Sequence, residues 1–181
     1  MTASPGYLTV NRVLARRFLG QRLTRMVRFV AALEPEESAR SGPSDALLES
    51  ERGDQWLISN DAGLGNVVLV DAVSAADALR WLKELYPVEV PVAGPGPADP
   101  LGFLLGAEIT AVEVASRRDV PDGPRDAFTM CGVRLTVQGG GTVCFGTYLT
   151  TLRQPELGFY LPEELDPALA FGALGDAEES G

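Results

Sequence analysis

The chain has 181 residues, a formal net charge of −10, and 45% hydrophobic and 22% charged residues. These values predict one ordinary folded domain, or two half-size units that share a core, rather than a disordered chain. The chain contains no histidine, which excludes histidine triads and histidine metal sites and argues against an enzyme. No run of residues is long and apolar enough to predict a transmembrane helix, and we expect a cytoplasmic protein with no membrane partner.

The charge is unevenly placed along the chain. Residues 1–30 contain six arginines and no acid, and subtracting this +6 from −10 leaves −16 on residues 31–181. A net acidic surface disfavours nucleic acid as a partner, because phosphate contacts need clustered lysine and arginine. It favours a cationic protein partner, since complementary charge speeds encounter. The alternative is that the acidity only keeps the protein in solution.

An internal repeat is the most specific feature of the sequence. The ten residues 18–27 return in weakened form 86 positions later, at 104–113. Each copy is followed by a strand-like run, a glycine-centred turn and a second strand-like run. The turns are Arg52-Gly53-Asp54 in the first half and Gly139-Gly140-Gly141 in the second. The repeat therefore predicts one small α+β unit that is used twice.

The start of the repeat admits two interpretations. In the first, a short helix over 12–19 ends at Gly20 and a strand follows over 22–32, and the second copy ends its helix at Gly106 in the same way. In the second, residues 12–32 form one basic amphipathic helix. The glycine and the β-branched residues of the second copy favour the helix followed by a strand.

Hydrophobic patterning predicts one longer helix and several short strands. The clearest helix runs from Ser74 to Leu85, with a capping-box-like start and an apolar stripe. The predicted strands cover 22–32, 47–51, 55–60, 66–70, 107–117, 132–138, 142–147 and 157–160.

The predicted fold class is α+β. We expect a mostly antiparallel sheet, or a pair of sheets, from two related halves, with helices packed on one face, above all the helix from Ser74 to Leu85. The predicted organisation is a loose leader over 1–10, a first half over 11–92, a Gly/Pro linker over 93–98, a second related half over 99–161, and an acidic tail over 162–181.

The two cysteines, Cys131 and Cys144, predict free thiols. If the second hairpin pairs about Gly140, strand alternation places the two sulfur atoms on opposite faces of the sheet, where they cannot form a disulfide. Free thiols are typical of a reducing cytosol. Two cysteines are also too few for a four-cysteine zinc site.

Carboxylates are the remaining candidates for catalysis. Asp54, Asp61 and Asp71 lie at or near the ends of predicted strands, where two acids could serve as general acid and base or hold a magnesium ion. Aspartate is also common in turns for backbone reasons, so no catalytic, cofactor-binding or metal-binding residue is predicted. The same aspartates, with Trp56 and Tyr148, are the predicted partner-binding residues. For the two aromatic residues the alternative is a place in the core.

Residues 105–114, followed by 132–137 and a glycine turn, form a pattern that resembles small bacterial domains similar to immunity proteins of toxin systems. The resemblance implies a binding role and carries no catalytic residue. The leading hypothesis is therefore a non-enzymatic cytosolic protein-binding domain, of immunity type, that neutralises a cationic partner and uses no cofactor. The alternatives are a small carboxylate-dependent enzyme, or a structural subunit that self-associates through a sheet edge.

Overall fold

The computed structural model describes residues 15–30, 42–43, 45–61, 67–70, 80, 83–84, 86, 88–118, 120, 129–153 and 157–174. These residues form two antiparallel sheets and two short 3-10 turns, Gly102–Leu104 and Pro162–Glu164. The strands are β1 (Leu23–Val30), β2 (Gly42–Pro43), β3 (Asp45–Ser50), β4 (Gln55–Asp61), β5 (Val67–Val70), β6 (Val88–Pro91), β7 (Ile109–Arg117), β8 (Thr129–Val137), β9 (Thr142–Gly146), β10 (Gly158–Tyr160) and β11 (Ala170–Ala173).

The two sheets repeat one strand order. The first sheet has the order β5-β4-β3-β1-β6, and the second has the order β11-β7-β8-β9-β10-β2. Read from its other end, the second order matches the first. Strand β10 takes the place of β5, β9 that of β4, β8 that of β3, β7 that of β1 and β11 that of β6. The short β2 is an additional strand that pairs with β10. We call the first sheet with the turn at 15–22 the first unit, and the second sheet with the turn at 101–108 the second unit. The structural repeat therefore comprises five strands in each sheet.

Irregularities in the ladders repeat as well. The β1–β3 ladder shifts register just after its first residue, and the β7–β8 ladder shifts at the same place. At each shift a threonine hydroxyl donates to a carbonyl of the opposite strand: Thr24 to Glu49 and Thr110 to Thr136, both at 3.3 Å. A β-bulge therefore lies at the equivalent position of both copies, and it fixes the same strand register in both sheets.

Reciprocal hydrogen bonds join the two units. The Gly20 N–H donates to the Ile109 carbonyl and the Gly106 N–H donates to the Leu23 carbonyl, each at 2.8 Å. The two glycines are 86 positions apart, and so are their two acceptors. Both glycines have left-handed backbone, with φ of +75° and +80°, which residues with a side chain rarely adopt. The units are therefore related by a pseudo-twofold axis.

One hydrophobic core fills the space between the sheets. Trp56 of the first unit stacks on Phe18, with ring centroids 4.4 Å apart, and Phe18 meets Phe145 of the second unit edge-on at 6.2 Å. Smaller apolar clusters lie on the outer faces. They are Val27, Phe29, Leu47 and Leu57, with Tyr86 packed on them, and Ala115, Cys131, Cys144, Leu149 and Tyr160.

Two buried ion pairs hold connecting segments onto the sheets. Arg28 of β1 donates to Asp99 at 2.7 Å, and Arg117 of β7 donates to Asp166 at 2.8 Å; both arginine side chains are 1% exposed. The other carboxylate oxygen of each aspartate accepts a main-chain N–H from two residues further along the chain, at 2.9 Å. These carboxylates are therefore satisfied on both oxygens, as buried charges require.

The predicted α+β class is wrong. The described residues contain no helix of seven or more residues, and their main elements are the two antiparallel sheets. Before Gly20, Ala15 and Arg16 have helical backbone and residues 12–14 of the predicted helix lie outside the described residues, whereas the segment before Gly106 is the short 3-10 turn Gly102–Leu104. Of the predicted helix from Ser74 to Leu85, only Arg80, Lys83 and Glu84 are described, with helical backbone. The rest lies outside the described residues, as does the predicted leader over 1–10.

The segment predicted as an acidic tail belongs in part to the second sheet. After the turn at Pro162–Glu164, strand β11 pairs with β7 and takes the place that β6 has in the first unit. Leu165, Leu169 and Phe171 pack against the outer apolar cluster. Strands β2, β6 and β11 were not predicted. Of the interpretation of a short helix followed by a strand, the strand is confirmed by β1, and the alternative of one helix over 12–32 is wrong.

The two thiols are free, as predicted, but they do not lie on opposite faces. Cys131 and Cys144 belong to the same outer cluster. The reason is a second register shift, which leaves Cys131 as an extra residue between the paired Met130 and Gly132. A bulge of one residue reverses the side-chain alternation that the sequence pattern assumes.

Candidate functional site

An open cleft lies where the turn at 15–20 meets the edge of the second sheet. It has a volume of about 510 Å³. Its floor is the start of β7 and its far wall is the end of β11. Leu19 forms the near wall and is 57% exposed; among the described residues, the other large exposed apolar side chain is Leu152. The apolar lining residues are Leu19, Ala111, Val112, Ala173 and Leu174.

The corresponding place in the first unit is filled by the chain itself. Gly102 is the counterpart of Arg16, 86 positions earlier, and the segment Val92–Gly94 that leaves β6 packs against it. A Cβ atom at Gly102 would lie 2.5 Å from the carbonyl oxygen of Gly94 and 2.7 Å from that of Ala93. The main chain thus approaches Gly102 more closely than any other residue type allows.

Arg16 explains why the second unit has an open cleft. Its side chain occupies the position where Gly102 has only a hydrogen atom, so main chain cannot approach residue 16 as it approaches Gly102. Arg16 Nη2 instead lies 3.5 Å from the Leu174 carbonyl oxygen. Leu174, the counterpart of Val92, still packs against the core. The two units therefore differ in packing at this place.

An ordered charge pair borders the cleft. The Glu113 carboxylate accepts from Arg134, whose Nε and Nη2 lie 2.7 and 2.6 Å from the same oxygen. The Arg134 guanidinium in turn lies over the Phe171 ring, 3.7 Å from its centroid. Stacking and ion pairing together hold the polar side of the cleft in one arrangement.

The negative charge of the protein lies mainly outside the described residues. The described residues carry 12 Lys and Arg against 13 Asp and Glu, a net of −1, so −9 of the total of −10 belongs to the other segments. Three of these acids, Asp176, Glu178 and Glu179, follow the cleft residue Leu174 within five positions.

The structure describes the carboxylate of one of the three predicted aspartates. Asp54 follows the first glycine turn, where its carboxylate pairs with Arg17 and accepts from Gln21 Nε2 at 3.2 Å. Asp61 is the last residue of β4. Asp71 lies outside the described residues. Asp54 is thus held in an interaction within the first unit.

The two predicted aromatic residues lie in the core. Trp56 is 1% exposed and Tyr148 is 8% exposed. A place in the core was the alternative that the sequence left open for both residues. Tyr148 has left-handed backbone, with φ of +55°, and its carbonyl accepts from Arg117 Nη1 at 2.6 Å. Neither ring presents a surface to a partner.

Other chemistry of the described residues is limited. Burial raises the pKa of the Cys131 thiol to about 12, and burial also raises the pKa of Cys144 well above its usual value. Both thiols therefore stay protonated near neutral pH, and a thiol in that form is a poor nucleophile. The described ranges hold no group of three or more cysteine or acidic side chains placed to bind a metal ion. No helix within them is long and apolar enough to cross a membrane.

No protein family, curated protein or solved structure matches the chain. Sequence reasoning missed the main residues of the site, Arg16, Leu19 and Ala173. The signal that could have found it is the contrast between Arg16 and Gly102 when the two copies are aligned.

Proposed function

We propose that the chain is a non-enzymatic protein-binding domain whose cleft takes an extended segment of a cationic partner. The observation that carries this proposal is the pair of equivalent places at Arg16 and Gly102. In the first unit residues 92–94 of the chain fill this place, and in the second unit the place is open and lined mainly by apolar side chains. An apolar groove of this kind favours a peptide segment as its ligand.

Charge supports a cationic partner. The chain carries −10 in total, and acids follow directly after the cleft residue Leu174. Long-range attraction of this sign raises the association rate with basic proteins and is screened by salt. A small acidic protein that covers a basic segment of another protein acts as immunity proteins do, and we propose that role in the cytoplasm.

The chemistry of the described side chains favours binding over catalysis. Asp54, Glu108 and Glu113 are each held in an ion pair with an arginine. Both thiols are buried, with raised pKa values. Groups that are fixed in internal interactions are poor acids, bases or nucleophiles for a substrate.

A peptide-display selection tests the proposed function. The immobilised full-length protein is exposed to a random twelve-residue peptide library at low and at near-physiological salt. We expect enrichment of peptides that combine lysine or arginine with a large apolar residue, with stronger enrichment at low salt. Enrichment of acidic peptides, or no enrichment above a bare-support control, contradicts the proposal.

Strand β11 favours self-association as a second candidate function. Its exposed residues Ala170, Gly172 and Ala173 carry no charge, whereas its counterpart β6 carries Glu89 and Pro91. Charges and proline protect a sheet edge against pairing with another chain, and β11 has neither. Light scattering across a hundredfold range of protein concentration tests this candidate. A constant monomer mass contradicts it.

A further inference from the structure

We propose that the cleft binds the C-terminal end of the partner chain, with its free carboxylate on Arg16 and its last, apolar side chain against Leu19. This inference rests on the proposed function and names the part of the partner that enters the cleft. It concerns one chain end and is independent of the charge on the rest of the partner. It places the binding site at Arg16 and Leu19 rather than at the five residues that the sequence suggested.

The net charge of the cleft lining is positive. Of its three polar residues, Thr110 donates its hydroxyl to a carbonyl of β8, and the Glu113 carboxylate is neutralised by Arg134. The third is Arg16, which is half-buried. A half-buried guanidinium attracts a carboxylate more strongly than an exposed one does, because less water screens the two charges. The described lining therefore favours an anionic group in the ligand.

The first unit places oxygen atoms where the second unit has this guanidinium. There, the carbonyl oxygens of Ala93 and Gly94 lie against Gly102, the counterpart of Arg16. In the second unit, the Leu174 carbonyl oxygen lies 3.5 Å from Arg16 Nη2, which makes a long and therefore weak hydrogen bond. A guanidinium has five N–H donors and serves several acceptors at once, and the two oxygens of a carboxylate match its geometry.

The edge of β7 offers a main-chain acceptor beside Arg16. In the first unit the Val92 N–H donates to the Met26 carbonyl at 2.9 Å, one residue beyond the end of β6. Their counterparts are Leu174 and Val112, and these two residues make no equivalent main-chain bond. A ligand N–H that donates to the Val112 carbonyl would reproduce the bond of the first unit. Such pairing with an edge strand is a common mode of peptide recognition.

The open part of this edge is short, which favours a chain end over a continuous strand. Pairing with β11 ends at Glu113, and Ile109 is held by main-chain bonds to the turn at 15–22. Three residues, Thr110–Val112, lie between these contacts. A continuous strand would have to leave the sheet on both sides of this gap, whereas a chain end leaves it on one. A free C-terminal carboxylate also supplies the anionic group that Arg16 favours.

The apolar part of the cleft fits the last side chain of the ligand. Leu19 is 57% exposed although its neighbour Phe18 is fully buried. Ala111 and Ala173 line the same space. An apolar side chain placed there removes these groups from water together, which is the usual source of affinity at an anchor residue.

The test compares one hexapeptide in two chemical forms. It consists of two lysines, threonine, valine, threonine and a final leucine, and it ends either in a free acid or in an amide. Binding to the full-length protein is measured by fluorescence anisotropy with a label at the peptide N-terminus. The amide form has one more net positive charge, so attraction to a protein of charge −10 would by itself favour the amide. We expect the acid to bind about tenfold more tightly, because its carboxylate meets the Arg16 guanidinium.

Variants of two neighbouring arginines assign the preference for the acid. Arg16→Gln should abolish it, whereas Arg16→Lys, which keeps the charge, should retain part of it. Arg17→Gln is the matched control, since Arg17 pairs with Asp54 outside the cleft, and it should keep the wild-type preference. Circular dichroism confirms that each variant folds. An equal preference for the acid in Arg16→Gln and Arg17→Gln would overturn the proposal.

The outcomes separate this inference from the proposed function. If basic library peptides bind but the acid form of the hexapeptide binds no more tightly than the amide, recognition of a C-terminus is wrong and the proposed function stands. If the library yields no basic peptide but the acid form binds through Arg16, the cationic partner is wrong and recognition of a C-terminus stands. Absence of binding by either form of the hexapeptide also contradicts recognition of a C-terminus.

Discussion

Arg22 and Glu108, 86 positions apart, face each other where the two units meet. An isolated antiparallel bridge joins their main chains, and Arg22 Nη2 lies 3.2 Å from Glu108 Oε2. The two residues are counterparts in the repeat, so the pair lies on the pseudo-twofold axis. One unit supplies the arginine and the other the carboxylate, and the repeat has thus diverged into a complementary pair at its own centre.

The two kinds of ion pair should differ in their contribution to stability. Asp99→Ala leaves Arg28 buried without its carboxylate and should lower the free energy of unfolding by about 3–5 kcal/mol. Glu108→Ala removes a partner from an ion pair whose side chains are 39% and 44% exposed, and should cost about 1 kcal/mol or less. Urea denaturation of both variants measures the difference. Equal losses would contradict the assignment of Asp99 to the interior.

Asp166 should make stability depend on pH in the acid range. The Ala168 N–H, and then the Arg117 guanidinium, lower the pKa of this carboxyl below its usual 3.8. A carboxyl with a lowered pKa stabilises the folded state above the pKa of the unfolded chain, and this stabilisation is lost as the pH falls through the folded value.

The control for Asp166 is Asp166→Asn, which cannot titrate. The difference in unfolding free energy between wild type and Asp166→Asn should be constant from neutral pH down to about pH 5 and should narrow below pH 3.8. Urea midpoints measured across this range provide the test. A difference that is as large at pH 3 as at pH 7 would show that Asp166 is not ion-paired in the folded protein.

Gly146 should not tolerate a side chain. A Cβ atom there would overlap the carbonyl oxygen of Cys131 and lie 2.5 Å from Gly132 Cα, in a residue with φ of +155°. Gly146→Ala should therefore destabilise the protein by about 3 kcal/mol, because a packed sheet must separate to admit the methyl group. Gly172→Ala is the matched control, since nothing lies within 4 Å of the new atom. Thermal melting that ranks the two variants the other way would refute this packing.

The sequence predicted the repeat because its signals are local. Gly20 and Gly106 mark left-handed turns, and Gly53 and Gly140 mark the equivalent hairpin turns, with φ of +82° and +90°. Such positions can be recognised in a single sequence, since few residues other than glycine adopt a left-handed backbone conformation. The predicted strands of the two hairpins follow from the same signals.

Strands β6 and β11 were missed because short edge strands have little pattern of their own. Strands β6 and β11 have four residues each, and they form only because β1 and β7 offer a free edge. The bulge at Cys131 likewise depends on pairing with β7. It places the Cys131 side chain on the opposite face of the sheet from the one that simple alternation predicts. Tertiary context overrides local preference in both cases.

The candidate cleft was not predictable for a similar reason. Leu19 directly follows the buried Phe18 in the turn at 15–20, and no sequence pattern separates an exposed leucine from a buried one there. The exchange of Gly102 for Arg16 is visible in the aligned repeat. Its meaning depends on the path of residues 92–94, which only the folded structure supplies.

Both thiols should be inert in the folded protein. Cys131 and Cys144 are 1% and 0% exposed, and burial raises the pKa of each. We therefore expect no reaction with an aromatic disulfide reagent at pH 8 under native conditions, and two thiols per chain after denaturation in guanidinium chloride. Reaction of one thiol in the native protein, faster than global unfolding, would contradict the position of that residue in the outer cluster.

The central claim is that the open cleft of the second unit binds the partner. Ala170 and Ala173 are both exposed residues of β11, and of the two only Ala173 lines the cleft. The decisive measurement is the affinity of the most enriched library peptide for Ala173→Trp and for Ala170→Trp. The account predicts that Ala173→Trp, which fills the cleft, weakens binding about tenfold or more, while Ala170→Trp keeps the wild-type affinity. Equal affinity of the two folded variants would contradict it.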